Sequence, residues 1–87
     1  MRERDIEKKL RHRVETLGGL CEKFTSSHRG VPDRIVTLPG GVIIFIELKA
    51  PGKKPTLLQQ RDHERRRAQG CEVLVIDSAE AANAFTR

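Results

Sequence analysis

Large aromatic side chains are scarce in this chain of 87 residues. Tryptophan and tyrosine are absent, and phenylalanine occurs only three times. The hydrophobic core must therefore be aliphatic, and stacking of nucleic-acid bases on aromatic side chains is disfavoured as a binding mode. At this length we expect one small domain, and the chain is too short for a second.

Cysteine is nearly as scarce, since only Cys21 and Cys71 occur. They stand far apart in sequence, without a CxxC partner or a histidine at zinc-ligand spacing. The pattern excludes a zinc knuckle and a paired redox motif. We interpret both residues as small core side chains rather than as a disulfide.

The chain also lacks a long apolar run. No segment has the length or composition of a signal peptide or of a membrane-spanning helix. We therefore expect a soluble, cytoplasmic protein that is not bound to a membrane.

Charge is abundant and unbalanced. Seventeen Lys and Arg residues against twelve Asp and Glu residues give a formal net charge of +5. A surplus of this sign favours a polyanionic partner, and nucleic acid is the leading candidate.

Hydrophobic spacing predicts two long helices, four strands and a short final helix. Ile6, Leu10, Val14 and Leu17 recur every three or four residues, as in an amphipathic helix that Gly18 would end. The predicted elements are, in chain order, a helix over 3–17, strands over 20–24, 34–38 and 42–48, a helix over 57–69, a strand over 71–76 and a short helix over 79–85.

The connections between these elements predict a mixed sheet. The short turn over 39–41 makes the strands on either side an antiparallel hairpin. The helix over 57–69 is long enough to return the chain parallel to the strand over 42–48. The fold class is therefore α/β, with a mixed sheet flanked by helices.

Two acidic residues fall within or beside predicted strands, where a carboxylate needs a partner or solvent. Asp33 precedes one strand of the hairpin, and Glu47 interrupts the apolar run of the other. Side chains alternate along a strand, so Glu47 and Lys49 share a face, and strand pairing can bring Asp33 beside Glu47. A divalent cation with oxygen ligands, Mg²⁺ or Mn²⁺, would make such paired carboxylates tolerable.

These residues also carry a family resemblance. Pro32-Asp33 followed by Glu47-Leu48-Lys49 resembles the PD-(D/E)xK nuclease signature. The segments 30–35 and 45–52, with Gln59 downstream, are similar to the stand-alone VRR-NUC (virus-type replication-repair nuclease) domain. The resemblance extends over nearly the whole chain and implies one nuclease domain over 1–87, with a restriction-endonuclease-like α-β-β-β-α-β core.

The resemblance implies roles for the residues of the motif. Asp33 and Glu47 would bind the metal ion together with the backbone carbonyl of Leu48. Lys49 would orient or help to deprotonate the attacking water and would stabilise charge on the phosphate. The simpler alternatives are that Asp33 caps a turn and that Glu47 and Lys49 form an ordinary ion pair.

Two further catalytic positions follow from the same resemblance. A glutamate of the first helix would complete the metal site, and Glu3 and Glu7 are both available, with Glu3 preferred. Gln59 would contact the nucleophile or the substrate backbone, and Gln60 is the adjacent alternative. Acidic residues at a helix start and glutamines on a charged helix also occur without any catalytic role.

Basic residues flank the motif in two loops. His28 and Arg29 precede it, and Lys53 and Lys54 follow it, so these four are the candidates for binding a nucleic-acid backbone.

The remaining basic residues receive a plainer interpretation. We expect the arginines at 61 and 65–67 to form a solvated helix face with internal ion pairs, and contact with phosphate is the alternative. Of the three histidines, we expect only His28 to lie near the active region.

The expected function is metal-dependent, structure-specific cleavage of DNA, because the resemblance implies action on branched DNA such as four-way (Holliday) junctions. Symmetric cleavage of a junction needs two active sites, so a homodimer or higher two-fold assembly is expected. One alternative is a nuclease that acts on flaps, ends or single strands. The others are a non-catalytic basic module that binds nucleic acid and a small protein-interaction domain.

Overall fold

The computed structural model describes residues 1–86. Its elements are α1 (Glu3–Thr16), β1 (Leu20–Lys23), β2 (Arg34–Leu38), β3 (Val42–Leu48), α2 (Leu57–Ala68), β4 (Glu72–Ile76) and α3 (Ala79–Asn83). The predicted order of elements is confirmed, and β2 and β3 have the predicted bounds. The other elements end within one or two residues of their predicted limits, where helix and strand ends fray.

The four strands form one mixed sheet in the order β1-β2-β3-β4. β1, β2 and β3 pair antiparallel, and β4 runs parallel to β3 after the α2 crossover. Gly40 and Gly41, in the turn between β2 and β3, have φ angles of 91° and 80°. Glycine adopts such angles without a steric penalty, so the chain reverses tightly there.

α1 and α3 cover one face of the sheet. The apolar stripe of α1 is fully buried against even-numbered residues of β2, β3 and β4, as the alternation of strand side chains requires. The core cluster consists of Ile6, Leu10, Val14, Val36, Leu38, Ile44, Ile46, Leu48, Ile76, Ala82 and Phe85. None of these side chains is polar, and only one is aromatic.

α2 lies on the other face, beside Phe45. The Arg66 guanidinium lies 4.9 Å from the Phe45 ring centroid and 5.1 Å from that of Phe24, and it donates to the Asp62 carboxylate. Arg65, whose side chain is exposed, also donates to the Asp62 carboxylate. The predicted ion pairs of this helix are therefore present, but the prediction of a wholly solvated face is wrong, because the two rings half-bury Arg66.

The two cysteines are free and only half-buried. Cys21 packs against the edge of the core, whereas Cys71 lines an open cavity on the other face beside Ile43 and Phe45. The prediction that both are core residues is thus wrong for Cys71. No helix within residues 1–86 is long and apolar enough to cross a membrane.

Candidate active site

The hairpin of β2 and β3 brings Asp33 and Glu47 together. Arg34 pairs with Ile46, so the residue before Arg34 lies opposite the residue after Ile46. The Asp33 carboxylate accepts a hydrogen bond of 2.9 Å from the backbone N–H of Leu48, which extends the hairpin by one step. The carboxylates meet at the end of the hairpin, as the sequence predicts.

Glu47 is buried beneath α2, with 1% of its surface exposed. Gln59 Nε2 donates to Glu47 Oε2 at 3.2 Å, and Lys49 Nζ lies 3.6 Å from the same oxygen. The predicted placement of Glu47 and Lys49 on one face is confirmed. Gln59 therefore reaches the Glu47 carboxylate from α2, the helix that follows β3.

The electrostatic environment of Glu47 disfavours its charged form. Burial is the largest cause, repulsion by Asp33 is the next, and together they raise the pKa of Glu47 to about 8. The charge of Glu3 acts in the same direction, whereas Lys49 partly offsets the shift. Without a cation, the carboxylate therefore keeps its proton near neutral pH.

His63 is the residue that the sequence analysis missed. Its Nε2 lies 3.7 Å from Glu47 Oε1, and neither atom has a hydrogen-bond partner within residues 1–86. Burial lowers the pKa of His63, so the imidazole is neutral at pH 7. The expectation that only His28 lies near the active region is wrong. The available signal was spacing, because His63 follows Gln59 by four residues and shares its helix face.

The start of α2 fixes the side chain of Gln59. Thr56 Oγ1 accepts from the backbone N–H of Gln59 at 3.2 Å, and Gln59 Oε1 accepts from the backbone N–H of Thr56 at 2.9 Å. This reciprocal cap leaves Nε2 of Gln59 directed at Glu47. Gln60 instead donates to the carbonyl of Pro55 and makes no contact with the carboxylates that the structure describes.

The N-terminal turns of α1 close the other side of the site. Glu3 and Glu7 line a cavity of about 290 Å³ that Asp33 and Leu48 also line. Glu7 pairs with Arg34 at 3.5 Å and with Arg11 at 3.8 Å. Glu3 is exposed and has no ion pair among residues 1–86. The structure therefore brings both candidate glutamates to the cavity, and of the two only Glu7 forms ion pairs with arginine within the described chain.

The oxygen donors at this point suit a hard divalent cation. Glu47 lies beside Asp33 and has a buried oxygen without a partner, and a bound cation would let both carboxylates be charged. Leu48 lines the cavity next to Asp33, and its backbone carbonyl would be a further oxygen ligand. No three His, Cys, Asp or Glu side chains in the described chain group closely enough to hold an ion. A cation that retains several waters, such as Mg²⁺, matches so small a ligand set.

The predicted backbone-binding residues divide into two groups. His28 and Arg29 line a groove of about 420 Å³ against α2. Lys53 and Lys54 are exposed in the loop after β3, and neither lines this groove or the carboxylate cavity. The structure therefore associates only the first pair with a defined surface.

Fold and site together define a restriction-endonuclease-like domain, and the chain belongs to the VRR_NUC family of nuclease domains. It is 51% identical over 84 residues to "Putative nuclease p44" of Acyrthosiphon pisum secondary endosymbiont phage 1, covering 95% of this chain and 90% of that protein. A solved structure described as "VRR_NUC domain" is 41% identical and has a TM-score of 0.86, over 93% of this chain and 89% of the other. A scan against protein-family models finds no match.

Proposed function

We propose that residues 1–87 form one nuclease domain that hydrolyses phosphodiester bonds of DNA internally and depends on a metal ion. The observation that carries this proposal is the buried carboxylate of Glu47, set against Asp33 and contacted by Lys49 and Gln59. A binding module would gain nothing from two carboxylates there, because they repel phosphate. The phage relative described as a nuclease supports the same reading.

Asp33, Glu47 and the Leu48 carbonyl would hold the ion, which we propose to be Mg²⁺ or Mn²⁺. Glu3 would complete the site, because Glu7 is engaged by arginine. Such an ion supplies Lewis-acid stabilisation of negative charge on the scissile phosphate and lowers the pKa of water.

The chain's own residues position the reacting groups. Gln59 donates a hydrogen bond to one oxygen of Glu47, and the buried His63 packs against the other oxygen from the same helix. The Lys49 ammonium stands beside Glu47, where it would orient the attacking water and stabilise charge on the phosphate.

The proposed substrate is branched DNA, such as a four-way junction, in the cytoplasm of a bacterial or phage-infected cell. Contacts to the DNA backbone supply affinity without base identity, which suits recognition of DNA shape. Each chain has one Asp33–Glu47 pair, so symmetric cleavage of a junction requires a two-fold assembly.

A cleavage assay tests the proposal. The purified protein is incubated with labelled four-way junction, flap, linear duplex and single-stranded DNA, in Mg²⁺, in Mn²⁺ and with chelator. We expect metal-dependent, paired cuts on the junction. Lys49→Ala and Glu47→Gln should lose cleavage but retain DNA affinity, and the exposed Glu64→Gln is the matched control that should cut normally.

Each other outcome has a definite meaning. Metal-dependent cutting of flaps, ends or single strands would retain the active site and discard the junction. Binding without cutting under any metal condition would refute the nuclease and favour the non-catalytic module. Normal cutting by Glu47→Gln would show that the site is elsewhere.

A further inference from the structure

A groove of about 420 Å³ opens on the α2 side of the molecule. It is lined by His28, Arg29, Leu58, Arg61, Asp62 and Arg65. The carboxylate cavity described above shares none of these residues. The groove is therefore a separate surface, formed between the loop before β2 and the helix α2.

The groove and the candidate active site share a loop and a helix. Gln59 and His63, four residues apart, face Glu47. Leu58, Arg61 and Arg65 recur at intervals of three and four residues and form a separate stripe of the same helix. The loop residues His28 and Arg29 line the groove and precede Asp33 by only a few residues.

The loop that forms the other wall is seated closely on this helix. Gly30 has a φ of +81°, and a Cβ at its position would lie 2.8 Å from the carbonyl oxygen of Leu58. Only glycine permits such an approach. The backbone N–H of His28 also donates to Ser26 Oγ at 3.1 Å, which gives the loop a local turn. His28 and Arg29 are thus presented from a docked loop.

The groove has an excess of positive charge. Both oxygens of Asp62, the only acidic residue in the lining, are bonded at 2.7 Å, one to Arg65 and the other to Arg66. Arg29 and Arg61 are exposed and have no ion pair with a carboxylate in the part of the chain that the structure describes. These two guanidiniums are available to an anionic partner.

The free guanidinium groups suit a phosphate backbone. A DNA strand presents one phosphate about every 3.4 Å along the duplex axis, and guanidinium groups bind phosphate bidentately. Arg29 and Arg61 both line the groove, one from the loop and one from α2. A strand lying in the groove can therefore contact both.

We propose that this groove binds the phosphate backbone of the DNA substrate on the α2 side of the molecule, with Arg29 and Arg61 as the principal contacts. The proposal rests on the proposed function for the identity of the ligand. It assigns a binding role to Arg61, for which the sequence analysis favours a solvated helix face.

The salt dependence of DNA binding tests the groove. Anisotropy of a labelled duplex is measured with chelator, so that no cleavage occurs, between about 50 and 200 mM salt. The double variant Arg29→Gln/Arg61→Gln is compared with Lys8→Gln/Lys9→Gln, which removes the same charge from α1. Circular dichroism checks that both variants are folded.

We expect the groove variant to flatten the slope of log affinity against log salt by about 1.8, because each lost phosphate contact contributes about 0.9. Its Kd at about 100 mM salt should rise roughly 10- to 100-fold, whereas the α1 variant should stay within about threefold of the unaltered protein. An equal loss in both variants would overturn the proposal, because general electrostatics would then explain the binding. So would an unchanged slope in the groove variant.

A parallel cleavage assay in Mg²⁺ separates this proposal from the proposed function. If the unaltered protein binds with a steep salt slope that the groove variant loses, yet never cuts, the nuclease fails and the groove is supported. If it cuts and the groove variant cuts and binds equally well, the nuclease is supported and the groove is overturned.

Discussion

Glu47 shows how the burial of one carboxyl group makes the stability of this domain depend on pH. Its pKa is raised to about 8, mainly by burial and by the adjacent Asp33. An unfolded glutamate titrates near 4.3. Between these two values the folded protein keeps a proton that the unfolded chain releases, so the free energy of unfolding falls as pH rises.

We therefore predict that, with chelator, the protein loses stability between about pH 4.5 and pH 8, by on the order of a few kcal/mol. Glu47→Gln should lose this fall in stability, because the amide has no proton to lose, and the lowered pKa of the buried His63 should then make stability rise with pH below about 6.5. Urea unfolding at several pH values measures the effect, with Glu64→Gln as the exposed control. A stability of the unaltered protein that rises with pH through this window would contradict the assignment.

His63 is the second residue whose role can be isolated. A residue that contacts a metal ligand typically contributes 10- to 100-fold to metal affinity or activity, and this factor is lost when the residue is removed. We predict a loss of that size in metal-dependent cleavage for His63→Ala, because Glu47 Oε1 would lose the side chain that lies 3.7 Å from it. His63→Gln, which keeps a polar side chain at this position, should recover part of the activity.

The matched control for this prediction is His12→Ala, an exposed histidine on α1. It should cleave at the unaltered rate. Thermal unfolding is measured for each variant, and isothermal titration reports Mg²⁺ affinity independently of cleavage. Unchanged Mg²⁺ affinity and cleavage in a folded His63→Ala protein would show that the histidine only fills space.

At the scale of elements, α2 organises both the active site and the groove. Its N-terminal cap fixes Gln59, its next turn carries His63, and a separate stripe of the helix lines the groove. The loop before β2 is positioned by its approach to the same helix at Gly30. The position of this loop should therefore depend on that one close contact.

Gly30→Ala and Gly40→Ala form a matched pair that tests the contact. Both glycines have φ angles near +80° to +90°, but a Cβ at Gly40 meets nothing within 4 Å, whereas one at Gly30 meets the carbonyl of Leu58 at 2.8 Å. We predict that Gly40→Ala costs about 1–2 kcal/mol of unfolding free energy from backbone strain alone.

Gly30→Ala should cost at least about 1 kcal/mol more, because the loop must also move away from α2. Urea denaturation measures both values. DNA affinity should fall for Gly30→Ala and remain unchanged for Gly40→Ala. Equal destabilisation by the two variants would show that the loop accommodates the added methyl group.

At the scale of the whole molecule, size sets the relation to DNA. The chain measures 32 × 31 × 19 Å, so its longest dimension is close to one turn of duplex, about 34 Å. On the proposed function, one copy would follow one arm of a branched substrate with its one pair of carboxylates. Cleavage of two strands in one binding event would then require two copies.

Mixing active and inactive chains tests this requirement. If the protein acts as a dimer, pre-mixed unaltered and Glu47→Gln chains should form mixed dimers that nick one strand of a junction and stop. Nicked junction should then accumulate, as measured on denaturing and native gels. A mixture of unaltered and Glu64→Gln chains, the control, should give paired cuts. Complete resolution of the junction by the mixture that contains Glu47→Gln would indicate chains that cut independently.

The sequence by itself determined most of the local structure. The stripe from Ile6 to Val14, the turn at Gly40 and Gly41, and the cap at Thr56 each depend on neighbours within a few residues. The hairpin also placed Asp33 beside Glu47, because register is fixed by the short turn.

Only the tertiary structure decided which distant side chains meet. His63 touches Glu47, Arg34 engages Glu7, and Arg66 lies on two phenylalanine rings because separate elements pack together. The groove likewise needs a loop and a helix that are far apart in sequence. Hydrophobic periodicity shows which side chains share one face of a helix or strand. Which other element packs on that face depends on how the elements dock, and a local sequence pattern does not contain this information.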